Sequence, residues 1–441
     1  LITSSAASDV YKRQLENIDN NFKKLLDEIS EEKLQKVNFV PGISPIPVSG
    51  KVIDKEDIAY LVDSSLDAWF TSGRYTSEFE KSISKYLGTR HCLFVNSGSS
   101  ANLLAVTALK QFYNLKDGDE IITSAVGFPT TVNPIIQNNL VPVLIDAEMD
   151  TYNIDVSLIE KSINDRTKGI VIAHTLGNPF ELETILSLCE KYDLFLMEDN
   201  CDSFGSTYNG QFTGTFGDIS TLSFYPAHHI TTGEGGAVIT NKPKLKKLLE
   251  SLRDWGRDCY CPPGEDNTCK KRYEWQLGDL PYGYDHKYIY SNIGYNLKSS
   301  DMQAALGVSQ IKKLPEFIEK RKNNFNFLYN KFSELDDFIL PKKSDKSDPS
   351  WFGFPLTISE NSKINRVDLL RFYEERRIGT RLLFGGNLSL QPAYQNTKFN
   401  IPGPLTKSEH IMNNTFWLGV YPGLNEEMLS YVFETTKEFI S

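Results

Sequence analysis

From about residue 90 the chain alternates short, continuous apolar runs with longer amphipathic stretches. HCLFVNS (91–97) reads as a strand and GSSANLLAVTALKQF (98–112) as a helix. EIITSAV (120–126) and the proline-opened FPTTVNPIIQNN (128–139) repeat that pair, as do VPVLIDA (141–147) and VSLIEKSI (156–163). GIVIAHT (169–175) and ELETILSLCEKY (181–192) repeat it again, and LFLMED (194–199), ISTLSFY (219–225) and GAVIT (236–240) add three strands. Strands that are apolar on both faces belong in a sheet covered on both sides. Their alternation with helices predicts an α/β fold built on a mostly parallel, doubly wound sheet.

Near residue 308 the pattern changes. Residues 310–332 form one long amphipathic segment, followed by FGFPLTI, RVDLLRFYEERRI, TFWLGVYPG and EEMLSYVFETTKEFI. That mixture predicts a smaller α+β domain over 308–441, after a large domain over 55–307 and an N-terminal helix and arm over 15–54. Residues 1–14 carry SSAASDVYKRQ, the in-frame translation of a sequencing-library adapter, and are set aside as an artefact. Residues 258–288, rich in Cys, Pro, Gly and aromatics, have no periodicity. An irregular stretch of that length inside a compact protein is usually functional.

The net charge of −10 offers no broad footprint for nucleic acid, although a local basic pocket for one small anion stays open. No run approaches the 18 or so apolar residues of a membrane span, and the residues after the adapter contain no signal-peptide core. The expectation is a cytoplasmic enzyme with no membrane or nucleic-acid partner.

Three stretches carry candidate chemistry. NSGSSAN (96–102) joins a strand to a helix, where small residues let backbone N–H groups approach a phosphate; a plain helix cap has the same composition. MEDNCDSFGS places Asp199 at the carboxyl end of a buried strand, where ligands of open α/β sheets bind. SFYPAHHITTGEGGAV (223–238) carries two adjacent histidines before a glycine-rich turn.

Together these stretches resemble the DegT/DnrJ/EryC/StrS sugar-nucleotide aminotransferases, of the fold type I pyridoxal phosphate class, over about residues 40–440. The resemblance implies a cofactor phosphate held by Gly98, Ser99, Ser100 and Ser223. It also implies a ring stacked on Phe128 and a pyridine nitrogen paired with Asp199. Asn296, in IGYNLKSSDMQAALG, matches the residue that reaches the neighbouring subunit's phosphate, which implies a homodimer.

One departure changes the expected reaction. The family's cofactor-binding lysine lies five residues before GEGG, and that place is His228 here. Histidine moves protons near neutral pH but offers no amine for an imine linkage. Within the family, histidine at this place marks the sugar 3-dehydrases, which use pyridoxamine 5′-phosphate (PMP) and expel the sugar C3 hydroxyl. Asp202 and Tyr225 replace common family residues in the same pocket and are expected to assist His228. His229 reads as a packing neighbour.

Of six cysteines, Cys92 and Cys189 sit in apolar runs and read as core residues. Cys201, Cys259, Cys261 and Cys269 suit an iron–sulfur cluster or a zinc site. Their spacing, C-x57-C-x-C-x7-C, resembles that of the family's iron–sulfur branch. That branch holds a 2Fe–2S cluster, acts on CDP-4-keto-6-deoxy-D-glucose and takes electrons from a separate NAD(P)H-dependent flavin iron–sulfur reductase. It serves 3,6-dideoxyhexose and O-antigen synthesis. The rival readings are a cluster-free GDP-sugar 3-dehydratase, an aminotransferase, and an inactive relative with structural zinc.

Overall fold

The structure is a computed structural model, and it describes residues 21–22, 24–34, 38–261 and 265–441. The adapter-like segment 1–14 and part of the expected N-terminal arm lie outside the described residues. Two helices open the main body: α1 (Lys55–Leu66), capped by Asp54, and α2 (Arg74–Leu87), ended by Gly88 in the left-handed conformation.

The central sheet has seven strands: β1 (His91–Val95), β2 (Glu120–Ser124), β3 (Val141–Ile145), β4 (Thr167–Ala173), β5 (Phe195–Asp199), β8 (Ile219–Ser223) and β9 (Gly236–Thr240). Their order is β1-β9-β8-β5-β4-β2-β3. β9 runs antiparallel to both neighbours, β1 and β8. The other six strands are therefore parallel, and their carboxyl ends share one edge. That edge positions the site.

Helices α3 (Gly98–Phe112), α4 (Pro129–Gln137), α5 (Leu182–Tyr192) and α6 (Pro243–Arg253) connect the strands. α3 and α6 bury Leu104, Leu109, Leu245 and Leu249 against Val95, Ile121 and Val238. At about 25 cal/mol per Å² of apolar surface, each such side chain stabilises the sheet by roughly 1.5–3 kcal/mol. VSLIEKSI, expected as a helix, forms two single 3-10 turns instead, Val156–Leu158 and Glu160–Ser162. Eight residues give too few hydrogen bonds to offset helix nucleation.

A hairpin, β6 (Thr207–Tyr208) and β7 (Gln211–Phe212), pairs with β11 (Ser347–Asp348) and so ties the sheet region to the later chain. Helix α7 (Asp301–Phe332) spans 32 residues without a break, so the boundary expected at 307/308 lies inside it. Beyond α7, β10 (Phe338–Ile339), β12 (Gly353–Ile358), β13 (Arg381–Leu382) and β14 (Thr415–Gly419) form an antiparallel sheet in the order β10-β12-β14-β13. Helices α8 (Arg366–Glu375), α9 (Thr406–Asn414) and α10 (Glu426–Ile440) accompany it. Phe332, Phe354, Phe416 and Phe433 fill its core. Among the described residues no helix is long and apolar enough to cross a membrane.

Candidate active site

A cavity of about 850 Å³ lies at the carboxyl edge of the parallel strands. The turn from β1 to α3 forms one side. Ser97 caps α3, its Oγ accepting from Ser100 N–H at 3.0 Å, and the Ser97 and Ser100 hydroxyls meet at 3.0 Å. A cap of this type is worth about 1 kcal/mol and directs the free N–H groups of the first turn at the cavity. Gly98 and Ser99 line it, whereas Ser100 is tied back to Ser97. A Cβ on Gly98 would lie 2.5 Å from the Ser223 Cβ at the end of β8. The turn and β8 therefore touch, and the Ser223 side chain opens into the same space.

Asp199 closes the floor from the end of β5. Its Oδ2 accepts from Thr131 Oγ1 at 2.7 Å and Asn102 Nδ2 at 2.9 Å, and its Oδ1 from Cys201 N–H at 3.3 Å. Asn102 is itself fixed by Thr221, whose hydroxyl donates to Asn102 Oδ1 at 2.6 Å. A buried carboxylate needs such donors. Strand alternation sends the preceding Glu198 to the opposite face. There it accepts from the backbone N–H groups of Gly214, Phe216 and Gly217 and meets His174 at 3.0 Å. Glu198 is thus a structural carboxylate, and Asp199 is the one facing the cavity.

His228 follows β8 and faces the cavity with Asp202. His228 Nδ1 lies 3.5 Å from Asp202 Oδ1, and its ring centroid is 5.1 Å from that of Phe352. Burial lowers the imidazole pKa to about 3; the cation of Arg321 adds to this, and the Cys201 carbonyl opposes it. Burial, aided by the Asp199 charge, raises Asp202 to about 8. At neutral pH Asp202 carries its carboxyl proton and His228 is a neutral base with one free ring nitrogen.

Beneath this pair lies Arg321, fully buried on α7. Its guanidinium donates to the carbonyls of His228 (3.0 Å), Ala227 (3.4 Å), Phe352 (3.2 Å) and Trp351 (3.3 Å). It therefore clamps the turn that presents His228. His229 points away and donates from Nε2 to the Ser350 carbonyl at 2.7 Å. Tyr225 and Phe128 line the cavity with half-exposed rings, and Phe384 meets Phe128 edge-on at 6.2 Å.

Sequence reasoning missed Asn102, Thr131, Arg321 and Arg381. Arg381 is the one Arg or Lys in the cavity wall among the described residues. Arg321 and Arg381 stand in no linear motif; Asn102 closes NSGSSAN and Thr131 follows Phe128 in FPTT, but neither stretch marks its residue as a partner of Asp199. Asn296 is exposed, outside the cavity wall, and accepts from Lys298 Nζ at 2.9 Å.

The four cysteines expected to act together occupy two places. Cys201 lines the cavity, where burial and the Asp199 charge hold its thiol well above the usual range. Cys259, Cys261 and Cys269 instead gather around His286 in the irregular loop, with each sulfur within 4 Å of the ring. The ligand atoms of Cys259, Cys261 and His286 fall within 4.8 Å of one another, a set that includes neither Cys201 nor Cys269.

Comparison with known proteins places this geometry in a lineage. The chain is 54% identical over 428 residues to lipopolysaccharide biosynthesis protein RfbH of Salmonella typhimurium, covering 96% of this chain and 98% of that protein. It is 50% identical over 407 residues to dTDP-4-dehydro-2,6-dideoxy-D-glucose 3-dehydratase of Saccharopolyspora spinosa, covering 91% and 88% of the two chains. A solved structure of GDP-4-keto-6-deoxy-D-mannose-3-dehydratase from E. coli with bound hydrated PLP superposes with a TM-score of 0.80. It shares 29% identity, with 88% of this chain and 98% of that one covered. The sequence profile of the DegT/DnrJ/EryC1/StrS aminotransferase family matches residues 51–437, and the chain belongs to that family.

Proposed function

We propose that the protein is a PMP-dependent sugar-nucleotide 3-dehydrase that removes the C3 hydroxyl of CDP-4-keto-6-deoxy-D-glucose. One observation carries this reading. Among the described residues the cavity wall contains no lysine, and His228 stands over the Asp199 floor. An imidazole can move protons but cannot hold the cofactor covalently, as amino transfer by a resident lysine requires.

When bound, PMP supplies a primary amine for the sugar ketone and a ring that accepts electrons. Gly98, Ser99 and Ser223 bind its phosphate at the α3 N-terminus, and Asp199 keeps the pyridine nitrogen protonated. Phe128 offers its exposed ring as a wall. His228, neutral at pH 7, accepts the proton from the cofactor's C4′ carbon. Asp202 carries the proton that the departing C3 oxygen needs to leave as water. The two groups stand 3.5 Å apart, so closing by about half an ångström would let the pair reset by passing one proton. Tyr225 supports this exchange from the cavity wall. Arg381 is the cation available to the nucleotide diphosphate.

In the same reading the cysteine-rich loop holds a 2Fe–2S cluster, fed by a separate NAD(P)H-dependent reductase. That cluster would supply the single electrons that complete deoxygenation. The gathering of three cysteines around His286 in one loop is the observation behind it. The exposed Asn296 and the almost fully exposed Ile293 fit a homodimer face.

The test is solvent exchange. In D2O with PMP and CDP-4-keto-6-deoxy-D-glucose, deuterium should enter the cofactor C4′ position, and His228→Asn should abolish it. Amino transfer from glutamate to the sugar by the wild type would sink the reading. Faster turnover of a dTDP-linked substrate would replace the nucleotide assignment alone.

A further inference from the structure

His228 is bracketed on two sides, by Asp202 at 3.5 Å and by the Phe352 ring at 5.1 Å between centroids. Asp202 follows β5 of the central sheet, whereas Phe352 precedes β12 of the C-terminal sheet. One short turn after β4, residues 174–178, touches both. The Leu176 N–H faces the Asp202 carboxyl group, and the Leu176 carbonyl accepts from Phe352 N–H at 2.8 Å. Gly177 is wedged in the same gap. A Cβ there would lie 2.9 Å from the Asp202 carbonyl oxygen, 3.1 Å from Phe352 N and 2.4 Å from the Ser350 carbonyl oxygen. Ser206 closes the bracket: its hydroxyl donates to the Gly177 carbonyl and accepts from Ser350 N–H, both at 2.8 Å.

The backbone that makes this possible is unusual. Leu176 is left-handed, with φ 50° and ψ 28°, and Gly177 has a φ of 89°. Glycine adopts this region freely, whereas the Cβ of a leucine crowds the following carbonyl oxygen. A residue of this kind persists where its surroundings over-determine it, and such positions cluster at functional sites. Here the surroundings do so. Besides its two main-chain partners, the Leu176 side chain is buried in a cluster with Phe352, Leu383 and Trp417. Trp417 in turn meets the Phe352 ring at 5.3 Å. Glycine at this place would relieve the strain and lose the anchor. A right-handed leucine would turn its N–H away from Asp202.

We propose that Leu176 is a positioning residue for the proton steps: its left-handed main chain holds Asp202 and Phe352 on either side of His228 and so sets the separation of the acid from the base. The inference rests on the 3-dehydrase reading for its rate measurement and not for its structural one.

The experiment compares full-length wild type with Leu176→Val, Leu176→Ala and Leu176→Gly. Valine keeps most of the buried volume but resists the left-handed region. Alanine and glycine both lose the volume, and only glycine stays left-handed without strain. Packing alone would rank the variants valine, alanine, glycine, from most to least active; the proposal puts glycine first. Loss of the C3 hydroxyl with PMP and CDP-4-keto-6-deoxy-D-glucose is measured beside PMP affinity. The 15N resonances of the His228 ring are read without cofactor, assigned with His228→Asn. Leu176→Val should slow hydroxyl loss at least about tenfold, since misplacing a reacting group by about 1 Å can cost about 10²-fold. Its PMP affinity should change less than its rate, and its His228 resonances should move toward those of Asp202→Asn. Leu176→Gly should be the fastest of the three variants, with resonances nearest wild type. Leu176→Gly slower than Leu176→Ala, or Leu176→Val with wild-type rate and resonances, overturns the assignment. If circular dichroism shows Leu176→Val unfolded, the alanine and glycine variants decide alone. A wild type that loses no C3 hydroxyl ends the 3-dehydrase reading, and the ring resonances then decide this inference by themselves.

Discussion

His228 Nδ1 and Asp202 Oδ1 stand 3.5 Å apart in the wall of the cavity, and burial drives their pKa values in opposite directions. The acid is held protonated up to about 8 and the imidazole neutral down to about 3. A pair separated in this way can supply both a base and an acid at one pH.

Its first consequence is a pH signature in stability. Asp202 binds its proton more tightly in the folded state, so from about pH 4 to 8 it makes stability fall as pH rises. His228 binds its proton less tightly when folded, so from about pH 3 to 6.5 it makes stability rise with pH. The two trends offset below pH 6.5, and a decline remains from 6.5 to 8. Asp202→Asn should abolish that decline and reveal a rise between pH 4 and 6.5. Urea unfolding midpoints across this range check both changes.

The same substitution bears on catalysis. C4′ exchange in the wild type should show an ionisation near 8 and no histidine limb between pH 5 and 8. Asp202→Asn should lose the limb near 8 and slow loss of the C3 hydroxyl by about 10²-fold, the lower range for a positioned proton donor, with C4′ exchange slowed less. Rates of dehydration and of deuterium incorporation against pH, measured together, decide this.

Arg321 holds the His228 turn through the Ala227 and His228 carbonyls, ties it to the Trp351 and Phe352 carbonyls, and cannot be seen from solvent. Arg321→Met leaves those acceptors without their donor, a cost of about 1–3 kcal/mol for each one that finds no water. The expected result is a lower unfolding midpoint and slower C4′ exchange, with PMP affinity changed less than the exchange rate. Equilibrium binding and exchange rates, measured on the same preparation, separate these effects.

Gly98 has no room for a methyl group, since a Cβ would meet that of Ser223 at 2.5 Å. Gly98→Ala should push the β1–α3 turn away from β8 and weaken PMP binding at least about tenfold, or roughly 1.4 kcal/mol. Titration of PMP absorbance gives the affinity, and circular dichroism should show the fold retained.

Much of the fold is legible in the chain because local signals agree with the tertiary result. α3 and α10 begin and end at the residues that the apolar pattern marks, since caps and periodicity coincide there. The antiparallel run of β9 is not legible, because GAVIT is equally apolar whichever way it pairs. His228 and Asp199 stand at strand ends inside recognisable motifs. Arg321 hides on the buried face of a helix that reads as amphipathic, where an arginine is expected on the solvated side. Cys201 shares a linear pattern with Cys259, Cys261 and Cys269, and the spacing does not show that it lines the cavity two residues after Asp199. His286 gives no linear signal, because one histidine in an aperiodic stretch looks like any other loop residue.

The loop that gathers those thiols is closed at its base. Arg257 bridges Tyr290, and Asp258 N–H donates to the Ile289 carbonyl at 2.9 Å. Its two ends therefore already sit side by side, as in a hairpin, and a short turn could join them without moving the sheet. The thiol-bearing segment is in that sense a detachable cassette: it leaves and rejoins the body at one place, where Asp254 also bridges Asn296.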